Sequence, residues 1–155
     1  MKLNLKDSES VAEHSYMMSV MAMVMSDMSN LNTEKIIKMS ILHDWAESKI
    51  GDFMPDEITD EKKTELEEYA MTELLDDLPS KIKNDYYDIW NDYKENLSEE
   101  SRFVHELDKL EMALQGKIYE KETDPEKIKP FIISAVEQIV NDDLKKVLIE
   151  ILQKT

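Results

Sequence analysis

The chain has 155 residues, enough for one domain with a substantial core, and its 41% hydrophobic content with only two glycines and four prolines points to a helical globular protein. With 35 acidic against 19 basic residues the net charge is −16, which argues against general nucleic-acid binding and means that a phosphorylated ligand would need a local cation. The absence of cysteine excludes disulfides and thiolate metal sites and suits a cytoplasmic protein, while no signal segment is visible and no apolar run approaches the ~18 residues of a membrane span.

Ser10 and Glu13 form a Ser-x-x-Glu capping box, so a first helix is expected from there to about Met28. Its apolar residues, among them six of the eleven methionines, are dense enough to predict a central, mostly buried helix. His14 lies one turn inside it. Taken alone, such a histidine is more often structural or exposed than a metal ligand.

A polar break at Asn30 to Asn32 precedes a second predicted helix from Thr33 to about Ser48. His43 and Asp44 stand near its end, directly after an apolar run that must face the core. Neighbours on a helix point roughly 100° apart, so both could serve one ion only if it approached between them and other ligands came from elsewhere. Glu47 shares their face, Gly51 is the natural stop, and Asp52 falls on the loop beside the helix end. Titratable groups beside buried surface are costly unless something pairs with them, which favours a functional role over an exposed polar helix end.

A charged helix is expected from about Asp60 to Asp77, with Leu66, Tyr69, Ala70, Leu74 and Leu75 inward; Glu67 or Glu68 would reach an active site only if this helix leaned over it. Pro79 and Ser80 open another helix with Ile82, Tyr86, Ile89, Trp90 and Tyr93 inward. Ser98 caps a long helix to roughly Glu122, in which Asp108 falls between Leu107 and Leu110. A lone carboxylate there is expensive unless paired or metal-bound, making Asp108 the best distant ligand candidate. His105 reads as exposed rather than ligating. Asp124 and Pro125 start the tail, which holds one or two amphipathic helices.

The order His14, His43-Asp44, Asp108 resembles the HD superfamily of metal-dependent phosphohydrolases. The segments Glu9 to Ser15, His43-Asp44-x-Ala46-Glu47, Gly51-Asp52 and Phe103 to Met112 look like the HD-domain 5′-deoxynucleotidases, a likeness running from about Glu9 to Tyr119. The resemblance implies an all-α HD-domain bundle of about six to seven helices occupying the whole chain, with one divalent metal on His14, His43, Asp44 and Asp108. It implies phosphate release from deoxynucleoside 5′-monophosphates by a homodimer, with Glu47 and Asp52 as the catalytic and substrate-facing acids. Two imidazoles and two carboxylates leave open positions on an octahedral ion, suiting Mn²⁺, Co²⁺, Fe²⁺ or Mg²⁺ better than a closed tetrahedral Zn²⁺ site. Family members usually begin with an additional helix whose arginine and tryptophan contact phosphate and sugar. Only eight residues precede Glu9, and neither side chain is among them. Phosphate recognition is therefore expected from Lys2, Lys6, Lys49 or a partner subunit. A catalytically weak metal-binding or regulatory HD module, and an HD phosphohydrolase acting on another nucleotide, are the alternatives.

Overall fold

The computed structural model describes residues 8–51 and 58–153. Among these the chain is all helix and turn: α1 (Val11–Asp27), α2 (Thr33–Leu42), the single turn α3 (Glu47–Ile50), α4 (Asp60–Asp76), α5 (Ser80–Glu95), α6 (Glu99–Tyr119), α7 (Pro125–Gln138) and α8 (Asp142–Gln153). The starts follow local chemistry. Ser10, Asn32, Thr59, Ser98 and Asp124 each accept a backbone N–H of their helix's first turn, and at Ser10 the Glu13 carboxylate returns the bond to complete the capping box. α5 stops at Asn96, whose φ of 50° is the left-handed conformation asparagine tolerates.

The spine of the bundle is α6, which packs against α1, α2, α5, α7 and α8. Its Val104, Leu107, Leu110 and Ala113 are fully buried and meet Met18 and Ala22 of α1, Ile36 and Met39 of α2, and Leu144 of α8. Burying one such Leu or Ile side chain contributes about 1.5–3 kcal/mol, so this seam is the main store of fold stability. Gly116 is part of it: a Cβ there would lie 3.0 Å from Ile128, so the missing side chain sets how closely α7 lies on α6. The Glu106 carboxylate accepts the N–H groups of Val140 and Asn141 at 2.8 and 2.7 Å, fixing the approach to α8. A second cluster of Leu42, Met71, Leu75 and Trp90 joins the α4–α5 pair to the end of α2.

Three expectations are corrected. α1 is not mostly buried: Met18, Ala22 and Ser26 face inward, while Tyr16, Val20, Met23, Val24 and Met28 are exposed, because helices cover only one of its sides. The second helix ends at Leu42 rather than Ser48, so His43 to Ala46 form turns before α3. Tyr69 and Ile82, expected inward, are 62% and 40% exposed; Met71 takes the inner place on α4. Among the described residues no helix is long and apolar enough to cross a membrane.

Candidate metal centre

Three distant pieces of chain deliver side chains to one point. The first turn of α1 supplies His14, the turn closing α2 supplies His43 and Asp44, and the middle of α6 supplies Asp108. The His14 Nε2 lies 3.3 Å from Asp108 Oδ1 and 3.7 Å from Asp44 Oδ2, and the His43 Nε2 lies 3.2 Å from the same Asp44 oxygen. The two imidazoles sit edge to face, 5.4 Å between centroids. One ligand atom each from His14, His43 and Asp108 fall within 4.8 Å of one another, the separation expected of groups around a single cation.

The remaining ring nitrogens are already spoken for. His14 Nδ1 contacts the Glu111 Oε2 at 2.7 Å, and His43 Nδ1 donates to the Ser40 carbonyl at 2.8 Å. Tying down both Nδ1 atoms turns both Nε2 atoms toward the shared point, which is how proteins orient histidine for metal coordination. The His43 Nε2 is buried and makes no hydrogen bond among the described residues, its 3.2 Å ion-pair contact with Asp44 Oδ2 aside. A buried polar atom left without a partner costs about 1–3 kcal/mol, and a cation at this point would remove that cost. The N,N,O set of His14, His43 and Asp108, with Asp44 against both imidazoles, and the orphaned nitrogen therefore fit a divalent ion.

The electrostatics of the protein side chains run in the same direction. Burial opposes protonation of His14, but the carboxylates of Asp108 and Glu111 overcome it and push the imidazole up to about 10. His43 is likewise raised against burial, by Asp44, and Asp44 is lowered in return by His43 despite burial. Burial also works against ionised Asp108, yet His14, Lys109 and His43 hold its carboxyl well below the usual carboxylate range. Positive charge is thus stabilised at the imidazoles and negative charge at both aspartates, the polarity in which a cation is bound after proton loss.

Around this point lie further polar groups. Glu47 starts α3, its side chain 11% exposed, with the Lys63 Nζ of α4 3.5 Å from its Oε1. Lys63 also pairs with Glu67 at 3.4 Å, so α4 does lean over the site and brings Glu67 to its edge; Glu68 instead binds Tyr87 and Lys94. The Tyr93 ring stands edge-on to His43 at 5.4 Å, and its hydroxyl is held protonated by burial and by the negative field of Asp108, Asp44, Glu47 and Glu67. His105 is not among the clustered ligands: it stacks on Tyr93 at 4.0 Å, and its Nε2 contacts the Tyr93 carbonyl at 2.9 Å. Lys49 pairs with Glu73 on the surface. Asp52, Lys2 and Lys6 lie outside the described residues.

Sequence reasoning missed Glu111, Lys63 and Glu9. The signal for Glu111 was present: it sits three residues after Asp108 on the buried face of α6 and is 1% exposed. Glu9 carries a carboxyl raised to about 7 by burial and by Glu111, and its backbone N–H donates to the Tyr119 hydroxyl at 2.6 Å.

Comparison with known proteins agrees with this geometry. The HD domain family profile matches residues 1–151. The 5′-deoxynucleotidase HDDC2 of Mus musculus is 36% identical over 150 residues, covering 96% of this chain and 75% of that protein, and the Homo sapiens protein of the same name is 35% identical over 96% and 73%. Among solved structures, a predicted metal-dependent phosphohydrolase from Magnetospirillum magnetotacticum superposes with a TM-score of 0.74 at 21% identity, covering 99% of this chain and 81% of that one, a likeness of fold. The profile match over nearly the whole chain, and relatives of this identity and coverage, place the protein in the HD-domain family.

Proposed function

We propose that the protein is a metal-dependent phosphohydrolase that releases phosphate from deoxynucleoside 5′-monophosphates. The observation carrying this is the pair of imidazoles whose Nδ1 atoms are fixed by Glu111 and Ser40, so that both Nε2 atoms meet Asp108 and Asp44 at one buried point. His14, His43, Asp44 and Asp108 would hold the ion, with Mn²⁺, Co²⁺, Fe²⁺, Mg²⁺ and Zn²⁺ the candidates. Such an ion, when bound, supplies Lewis acidity for water and charge compensation for the phosphoryl oxygens. The name of the deoxynucleotidase relatives supports the substrate class.

The residues of the chain then divide the work. Glu47 accepts the proton that water loses as its oxygen bonds to phosphorus, and returns it to the 5′-oxygen as the P–O bond breaks, so phosphate and the deoxynucleoside leave with charge balanced. Tyr93, kept protonated, offers a hydroxyl donor inside a site otherwise rich in acceptors. Asp52 is proposed as the substrate-facing acid. A homodimer working in the cytoplasm is the proposed unit, supported by the uncharged exposed stripe of Tyr16, Val20, Met23 and Val24 on an otherwise strongly acidic molecule; neither nucleic acid nor membrane has a place in the function.

The test is phosphate release from dAMP, dGMP, dCMP, dTMP, AMP and a cyclic dinucleotide with Mn²⁺, Co²⁺ or Mg²⁺. Release from the deoxynucleoside monophosphates that disappears in Glu47→Ala, with metal content unchanged, is the expected outcome. Metal uptake with no turnover on the whole panel would instead identify a binding or regulatory module.

A further inference from the structure

We propose that Lys63, in the first turn of α4, binds the substrate phosphate. This assignment rests on the phosphohydrolase proposal above and gives it a positive side chain from among the described residues.

A phosphomonoester brings close to two negative charges into a site that already holds Asp44, Glu47, Glu67 and Asp108. Four described lysines stand in α3, the first turn of α4 and the middle of α6, and they differ in what they are committed to: Lys62 is exposed and paired with Glu65 at 2.7 Å. Lys49 is spent on Glu73 at the surface, both side chains being about two-fifths exposed. Lys109 is held by Asp108 Oδ2 at 2.8 Å, a full charge-assisted hydrogen bond, and withdrawing it would unbalance a candidate metal ligand. Lys63 touches Glu47 and Glu67 at 3.5 and 3.4 Å, both beyond the roughly 2.7–2.9 Å of a committed ammonium–carboxylate bond.

An ammonium has three donors, and neither of these contacts uses one well. Burial opposes the charge on Lys63, but the Glu67 and Glu47 carboxylates outweigh it, so the side chain stays cationic where it is half-buried. Its backbone is fixed as well: Lys63 lies in the first turn of α4, its N–H bonded to the Thr59 carbonyl at 2.9 Å, and α4 packs on α3, the turn that begins with Glu47. Lysine and catalytic acid are thereby presented side by side. A phosphate entering between them gives Lys63 a better-aligned anion than either glutamate and sits beside Glu47, the proposed proton acceptor. A lysine that only clamped α4 to α3 would matter for stability and leave affinity untouched.

The experiment titrates inorganic phosphate, dAMP and deoxyadenosine into Mn²⁺-loaded wild type, Lys63→Met and Lys63→Arg by calorimetry, with kcat and KM for dAMP alongside. Loss of a hydrogen bond to a charged group predicts roughly tenfold to hundredfold weaker phosphate and dAMP binding in Lys63→Met. Its KM should rise, with Mn²⁺ affinity, Tm and deoxyadenosine binding unchanged, and Lys63→Arg should keep most of the affinity. Phosphate and dAMP binding within twofold of wild type in Lys63→Met would overturn the assignment. So would a loss that merely tracks a fall in Tm. If the wild type binds dAMP but releases no phosphate, the enzymatic proposal fails while the comparison of variants still decides the role of Lys63; if it binds neither phosphate nor dAMP, both fall.

Discussion

Glu111 stands behind His14 and offers the most direct test of how the metal centre is built. Its carboxylate is 1% exposed and lies 2.7 Å from Nδ1, so it fixes the ring's rotation with Nε2 facing Asp108 and Asp44. Supporting carboxylates of this kind are worth about 10–100-fold in metal affinity, which is roughly 1.4–2.8 kcal/mol. Glu111→Gln keeps an acceptor in nearly the same volume and gives up the charge, so it should fall near the lower figure. Glu111→Leu removes the acceptor and should fall near the upper one. Stability is a poorer readout, because the leucine leaves Nδ1–H without a partner, at about 1–3 kcal/mol, while also relieving the burial of a carboxylate. The assay is calorimetric titration of Mn²⁺ into each variant at one pH, with circular dichroism to confirm that helix content is unchanged. If Glu111→Leu took up Mn²⁺ within about threefold of wild type, a difference of less than about 0.7 kcal/mol, the idea that Glu111 aims His14 would be refuted.

The proton on His14 competes with the metal: since its imidazole is pushed up to about 10, apparent Mn²⁺ affinity should climb by up to about tenfold per pH unit between roughly pH 7 and 9, and a flat profile would count against Nε2 as a ligand. Metal-free stability should move oppositely, because a raised histidine value stabilises the fold fully below the ordinary 6.5 and loses that contribution as pH rises through about 10. Asp44→Ala should take up no Mn²⁺ by elemental analysis and lose the metal-dependent gain in Tm; wild-type metal content in that variant would remove Asp44 from the ligand set. Ser10→Ala breaks the capping box at the start of α1 and should cost about 1 kcal/mol, some 2–4 °C in Tm. With the exposed stripe on α1 as the proposed dimer interface, sedimentation velocity should give a dimer for the wild type and a monomer for Val24→Glu, and an unchanged sedimentation coefficient would place the interface elsewhere.

The sequence was most informative where the physics is local. Each cap is a short-range exchange between a side chain and the N–H groups two or three residues on, so Ser10, Ser98 and Asp124 announced their helices correctly. The order His14, His43-Asp44, Asp108 was legible too; the structure puts Asp108 and Asp44 within 3.7 Å of the His14 Nε2 and Asp44 within 3.2 Å of the His43 Nε2. What failed was everything decided by neighbours far along the chain. Apolar residues on every side of α1 read as burial, but whether a second layer covers Val20 and Val24 is not written in α1. The chain leaves α2 at Leu42 although His43, Asp44, Trp45 and Ala46 are compatible with a helix; there the backbone turns to i−3 bonds, the Trp45 N–H to the Leu42 carbonyl and the Glu47 N–H to the Asp44 carbonyl. Glu111 looked like one acid among many because its partner is 97 residues away. Lys63 likewise gained meaning only once α4 lay across α3.

Asp108 and Glu111 share α6 with Val104, Leu107, Leu110 and Ala113, so ligand placement and core packing are set by the same rigid rod. Binding of the proposed cation and resistance to unfolding are therefore coupled through this helix. A substitution that slides this rod by a fraction of a turn would detune coordination before it melted the bundle, and selection for a working centre is at the same time selection for a well-packed interior.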